Sequence, residues 1–216
     1  MDAQVAAKIT QFFDKYPKRS YPKGQILVFA DESPEHIYHL IKGKVRMYDV
    51  SYRGDEVIVN IFKPPAFFPM SWAINQVDNK YFYKTEEPTE LHTVPHTDVV
   101  EFVKANPDVM FDLLSRVYLG MEGLLGKVVH LMSGTAKSRL LHELLIECHR
   151  FGKKQANGDY LLSTTETDIA ARSGLSRETV SREIHKLKEK DLISIEQGGI
   201  LVRNLGALKK LQSSES

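Results

Sequence analysis

Between Gly174 and Arg182 the chain reads GLSRETVSR, and three of its side chains, Arg177, Glu178 and Arg182, are of types that hydrogen-bond to base edges. The guanidinium fork of an arginine matches O6 and N7 of guanine, and a carboxylate accepts from N4 of cytosine. A glutamate facing DNA phosphates would be repelled, so its place among arginines fits a cytosine reader, or a brace holding an arginine, better than general attraction. The competing reading is a solvated helical face laced by (i, i+4) pairs, for which Glu178 and Arg182 have the spacing.

The elements around this stretch favour the first reading. Thr165 followed by Asp168 resembles a capping pair, Ile169 and Ala170 begin an apolar face, and Gly174 allows a tight turn. Ser176 then caps a second helix whose Val180, Ile184 and Leu187 point inward, with Ala170 small enough for the helices to cross closely. With those three inside, Arg177, Glu178, Ser181 and Arg182 project outward at the N-terminal end, where a recognition helix meets base edges. DLISIEQGGILVRN adds two strands around a Gln197-Gly198-Gly199 turn, which makes the unit winged.

Other chemistries are poorly served. The one cysteine, Cys148, excludes an internal disulfide, a thiolate-held iron–sulfur cluster and a multi-cysteine zinc site; it shares a helical face with Leu141, Leu144 and Leu145 and reads as core. His36 and His39 on a strand point to opposite faces, and His92 and His96 are interrupted by Pro95, so no metal is expected. No nucleophile elbow, phosphate loop or paired-carboxylate motif is present, and no enzyme activity or cofactor is expected. A net charge of +1 over 216 residues decides nothing by itself. Its distribution does, with −2 over residues 1–135 and +3 over residues 136–216. Six basic residues stand against three acidic ones between Arg172 and Lys190, a modest footprint for a polyanion. No apolar run approaches a membrane span, and the first residues lack the basic-then-apolar order of a secretory signal, so a soluble cytoplasmic protein is expected.

Toward the start, QILVFA, EHIYHLIKG, KVRMYDV, EVIVNIF and TELHTVP are short, β-branched or aromatic segments separated by turn signals, a pattern that predicts a roll or barrel. A helix is expected near the N-terminus (Val5, Ile9, Phe12, Phe13) and another after Pro95, capped by Thr97 or Asp98. From Pro107 to Met132, Leu114, Val117, Met121, Leu124, Val128 and Leu131 alternate spacings of three and four. That is a coiled-coil seam asking for a partner, although Leu113, Leu125 and Val129 broaden the face toward ordinary amphipathic packing. Gly120, Gly123 and Gly126 within it suggest close backbone approach or marginal order. A further helix, AKSRLLHELLIECHRFGK, ends at Gly152, and KKQANGDY reads as polar loop.

Together these features resemble the catabolite activator and fumarate–nitrate regulator (Crp/Fnr) superfamily of bacterial transcription factors over nearly the entire chain. IYHLIKGKVRMYDVSYRGDEVIVNIF is similar to that family's β-roll hairpins, VVEFVKANPDVMFDLLSRV to its entry into the dimer helix, and SRETVSR is the most specific part. The resemblance implies an α+β fold: an antiparallel, cyclic-nucleotide-binding-like β-roll sensor over 1–106, a dimerisation helix over 107–134 and a winged helix-turn-helix over 135–216. It implies base contacts from Arg177, Glu178, Ser181 and Arg182, phosphate contacts from Ser176, Thr179, Thr165 and Lys186, and double-stranded DNA, a second copy of the chain and RNA polymerase as partners.

The sensor half departs from the family's pattern. Cyclic-nucleotide binders carry Gly-Glu followed by Arg-Ser or Arg-Thr; here Pro69 and Met70 stand at the first pair, Lys80 and Tyr81 at the second. Proline lacks an amide donor and methionine cannot accept from a sugar hydroxyl, so cyclic AMP binding is not expected. The cysteine set of the oxygen-sensing branch is missing too. An aromatic cluster remains, and Phe68, Met70, Trp72, Lys80, Tyr81 and Tyr83 are the candidate lining of a pocket for an unidentified small-molecule effector, the plainer reading being a collapsed core. A cupin-like β-barrel small-molecule-binding protein or enzyme with a helical accessory domain is the out-of-class alternative, but the usual His-x-His and downstream Glu are not visible.

Overall fold

The computed structural model describes residues 2–52 and 54–214. Residues Met1–Leu119 and Gly120–Ser216 form two compact units. In the first, α1 (Ala3–Phe13) is capped by Asp2, whose carboxylate accepts from the Gln4 amide at 2.8 Å, and buries Val5, Ile9 and Phe13, spaced by four. The chain then runs through β1 (Lys18–Tyr21), β2 (Ile26–Val28), β3 (His36–Lys42), β4 (Val45–Val50), β5 (Glu56–Phe62), β6 (Ala66–Phe68), α2 (Met70–Asn75), β7 (Phe82–Thr85), β8 (Thr89–Pro95) and α3 (His96–Ala105). Two antiparallel four-stranded sheets result, in the orders β1-β8-β3-β6 and β2-β7-β4-β5.

Strand alternation decides what each face of the first sheet covers. Ile37 and Phe67 join Val5, Ile9, Phe13, Val94, Val99 and Val103 in a core beneath the helices. Their immediate neighbours Tyr38 and Phe68 point the other way, into a core shared with Val28, Val45 and Tyr83 of the second sheet. This is the expected roll. Three of its strands were not legible: β1 is an exposed edge, KRSY, that owes its conformation to pairing with β8, and β6 and β7 are short pieces inside an aromatic run. The third helix begins at His96 with Pro95 at its cap, not with Thr97 or Asp98, which lie inside its first turn, Thr97 donating to the Asp98 side chain.

α4 (Pro107–Ser133) is unbroken, so the contact boundary between the two units falls within it. Around Gly120 and Gly123 the chain leaves open space, and a Cβ on Gly126 would meet only the His142 ring at 3.7 Å. Close approach within the chain therefore does not account for these glycines.

The second unit continues with α5 (Ala136–Arg150), β9 (Lys153–Lys154), β10 (Tyr160–Leu162), α6 (Glu166–Ser173), α7 (Arg177–Glu189), β11 (Ile193–Glu196), β12 (Gly199–Val202) and α8 (Leu205–Ser213). Its core joins Leu140, Leu141, Leu144, Leu145 and Cys148 to Ile169, Val180, Ile184, Leu187 and Val202. Burial pushes the Cys148 thiol up to about 12, as suits an inert core residue. The KKQANGDY stretch is a hairpin rather than a loop: Tyr160 and Leu161 pair with Lys154 and Lys153, and the Gln155 amide donates to the Asp159 carbonyl at 2.8 Å. Its polarity reflects an exposed edge, with β12 on the other side of β10 supplying the order. At Gly199, φ is +145° and a Cβ would lie 1.8 Å from the Leu162 carbonyl oxygen, so the wing closes onto β10 only with glycine there. α8, an amphipathic helix over which Leu208 is fully buried, had no motif to announce it.

Candidate nucleic-acid interface

The helix-turn-helix is built from two caps and one glycine. Thr165 and Asp168 form a reciprocal capping box, the Asp168 amide donating to Thr165 Oγ1 at 3.1 Å and the Thr165 amide to Asp168 Oδ2 at 3.2 Å. α6 ends at Gly174, whose φ of +65° lets its amide reach back to the Ala170 carbonyl. Ser176 then caps α7, its Oγ accepting from the Thr179 amide at 3.2 Å and donating to Thr179 Oγ1 at 3.1 Å. Thr165, Ser176 and Thr179, expected on phosphates, therefore also hold the helix ends.

Along α7 the division of faces is the expected one. Val180, Ile184 and Leu187 are buried, while Arg177, Glu178, Ser181 and Arg182 are exposed on the first turn and a half. Arg177 makes no hydrogen bond or ion pair with any described residue. The Glu178 carboxyl is held below the ordinary carboxylate range by its own backbone amide and by the Ser176 hydroxyl, so it is ionised at the helix N-terminus. The (i, i+4) pair between Glu178 and Arg182 does not form. Arg182 turns instead toward Glu183, with Nε 3.7 Å from Oε1. Glu183 is only 6% exposed, and its Oε1 also accepts from Lys186 Nζ at 2.7 Å. Glu183 stands three residues after Val180 and beside Ile184, a spacing that places it on the buried face.

Arg172 likewise leaves the surface footprint. It is buried in the second unit, with Nη1 3.4 Å from Glu147 Oε1, Nε 3.0 Å from Glu143 Oε1 without the alignment of a hydrogen bond, and Nη2 donating to Thr164 Oγ1. With Arg172 and Glu183 inside, Arg177, Arg182, Lys186, Lys188 and Lys190 face solvent against Glu178 and Glu189. The exposed surplus of positive charge survives.

The sensor residues are not brought together. Phe68 and Tyr83 stack in the roll interior at 5.2 Å and 3° between ring planes, with Phe62 4.9 Å from Phe68 and Tyr81 packed alongside. Met70 and Trp72 lie across the first sheet in the helix-side core, where Trp72 meets His96 edge-on at 4.8 Å. Lys80 is exposed and pairs with Asp31 at 3.4 Å. Asn79, which sequence reading passed over, is buried and staples the segment by donating to the Phe29 and Tyr81 carbonyls at 2.8 and 2.7 Å.

His39 and His92, on adjacent strands in direct register, stack at 5.9 Å. His92 Nδ1 lies 2.9 Å from the Tyr16 carbonyl, whereas both ring nitrogens of His39 are buried without a hydrogen bond and its other face stacks on Phe13 at 4.1 Å. Among the described residues no group of three or more His, Cys, Asp or Glu side chains could hold a metal.

The seam residues Leu114, Val117, Met121, Leu124, Val128 and Leu131 are all exposed in the single chain, from 36% at Leu131 to 57% at Val117. No helix among the described residues is long and apolar enough to cross a membrane.

A capped helix-turn-helix with a wing, a long helix and an antiparallel roll define a DNA-binding transcription regulator rather than an enzyme. Family models agree: residues 18–106 match the cyclic nucleotide-binding domain and residues 138–211 the Crp-like helix-turn-helix domain. The chain is 30% identical over 189 residues to a global nitrogen regulator from Nostoc, covering 85% of this chain and 83% of that protein. It is 24% identical to a cyclic AMP receptor protein from Thermus thermophilus, covering 91% and 88%. Among solved structures it is similar in fold to a CRP/FNR-family regulator from Thermus thermophilus (TM-score 0.75, 22% identity, 93% of this chain and 100% of that one). It is also similar to the c-di-GMP responsive global regulator CLP of Xanthomonas campestris (TM-score 0.80, 16% identity, 92% and 99%). The chain belongs to the Crp/Fnr family of transcription regulators.

Proposed function

We propose that this regulator acts as a homodimer on an inverted repeat with TGTGA-like half-sites, with RNA polymerase as a further partner, and that cyclic AMP is not its effector. The observation that carries the reading is the outward set at the head of α7: Arg177, Glu178, Ser181 and Arg182 exposed on a helix whose opposite face is locked into the core. Arg182 and Glu178 together suit one G·C pair and Arg177 a second guanine; without Arg177 a TTGAT-like half-site would be expected. The exposed seam along α4 supports pairing of two copies, which sets two recognition helices about one DNA turn (~34 Å) apart.

Against cyclic AMP stand Pro69, Met70 and Lys80 at the positions that would serve its phosphate and ribose, and an interior occupied by Phe62, Phe68 and Tyr83. Lysine offers a point charge where the family uses a bidentate fork. Selection of bound fragments from random duplexes by the purified protein tests the main reading. Recovery of an inverted repeat with G·C pairs at fixed places in each half is expected. Fragments with no shared sequence would overturn it.

A further inference from the structure

We propose that Glu183 is a specificity-determining positioning residue: its buried carboxylate, an ion-pair partner 3.7 Å from Nε of Arg182, biases that edge of the guanidinium inward and leaves the two terminal nitrogens for bidentate recognition of a guanine. The inference rests on the reading above, in which Arg182 contacts a base.

Glu183 occupies a place where an aliphatic side chain would complete the stripe of Val180, Ile184 and Leu187. Carboxylates are almost never buried unless paired, and a negative charge on a helix that approaches phosphates works against binding. Its presence therefore needs a compensating role. Both of its partners are on α7 itself and both converge on the same oxygen, Oε1, Lys186 at 2.7 Å and Arg182 at 3.7 Å. Lys186 Nζ donates to that oxygen and places a countercharge beside it. Arg182, with its side chain 64% exposed, is the solvent-facing member. A guanidinium has five donors in a rigid fork, and a carboxylate at Nε leaves the Nη1 and Nη2 end free, the end that matches O6 and N7 of guanine. An otherwise free arginine loses rotamer freedom on binding, and the fixed carboxylate takes up part of that loss beforehand.

The test is a double-mutant cycle over Glu183→Gln and Arg182→Ala, with Glu183→Leu as a second variant that fills the apolar stripe should the glutamine variant fold poorly. Fluorescence anisotropy reads binding to the selected operator and to one in which the guanine assigned to Arg182 is replaced, across a salt series. Removing the carboxylate is expected to lower discrimination at that base pair about fivefold, the low end of what a bidentate contact supplies, and to leave the other positions unchanged. Release of Lys186 should raise affinity for non-operator DNA at low salt. In the Arg182→Ala background the same change should have no effect on that base pair. Unaltered discrimination in both Glu183 variants, or an equal loss with and without Arg182, would overturn the inference. A wild-type protein that prefers no sequence would overturn the base-reading proposal itself, which is a separate result.

Discussion

Arg177 and His39 illustrate two ways in which a single side chain earns a consequence. Arg177 is exposed and acts within the chain through its charge on Glu178, so it is available to a base edge without breaking a packed contact. Arg177→Val is therefore expected to relax preference at one base pair, worth about 1–3 kcal/mol, while the dependence of affinity on salt hardly changes. A uniform weakening across all sequences would make it a phosphate contact. His39 is closed in between Phe13 and His92 with neither ring nitrogen bonded, and burial first, then the neighbouring His92, lowers its pKa to about 4, opposed by Asp14. The folded chain thus prefers the neutral ring. That preference contributes fully above the ordinary histidine value near 6.5 and is lost as pH falls from there toward 4, where the unfolded chain binds the extra proton. The difference is on the order of 3 kcal/mol at most, since each pKa unit is about 1.4 kcal/mol. Denaturant unfolding of wild type and His39→Phe between neutral and mildly acidic pH should show the wild type losing stability faster, and parallel curves would show that His39 does not titrate in this way.

Among the elements, α4 is the one whose apolar seam the described residues leave uncovered. Its seam residues are between about a third and three fifths exposed, while Val109 near its start is fully buried in the helix-side core. At the other end His130 lies 3.1 Å from Ser138 Oγ and the Leu131 carbonyl accepts from Arg139, and between these anchors the helix presents an apolar stripe. A charge placed there should separate the copies without unfolding the chain. Leu124→Asp is expected to sediment as a monomer with an unchanged circular dichroism spectrum, and to bind the inverted repeat at least about 100-fold more weakly because the two half-sites are no longer held by one molecule. Loss of helicity instead would mean that Leu124 packs within the chain. α6 and α7 are the opposite case, short helices fixed by Thr165, Asp168, Ser176 and Gly174 before tertiary packing is considered.

For the molecule as a whole, the roll matches the cyclic nucleotide-binding domain, and the proposal that cyclic AMP is not its effector turns on Pro69, Met70 and Lys80. Burying a cyclic phosphate and a ribose hydroxyl needs a cationic fork and an acceptor, because unpaired polar groups cost several kcal/mol. Three lost contacts at ~1.5 kcal/mol each would shift a micromolar site into the millimolar range. Calorimetry at millimolar cyclic AMP should therefore show no saturable heat, and operator affinity should be the same with and without it. A micromolar dissociation constant would show that another set of side chains serves the phosphate and ribose.

The recognition unit was legible because its signals are local: Thr165, Asp168, Gly174 and Ser176 act within a few residues of themselves, and the apolar spacing of Val180, Ile184 and Leu187 assigns the outward face by helical period alone. The roll's longer strands were legible for the same reason. Partnership across the chain was not. Whether Arg182 leans on Glu178 or Glu183 depends on which carboxylate the core immobilises, and Arg172 counts as surface charge until Glu143 and Glu147 are found beside it. His39 and His92 are 53 residues apart and meet only through strand register. Phe68 and Trp72, four residues apart, end on opposite sides of one sheet because a strand gives way to a helix between them. Local hydrogen bonding and periodicity are written in short stretches of sequence, whereas pairing, burial of charge and the closing of a pocket are settled by which distant segments the fold sets side by side.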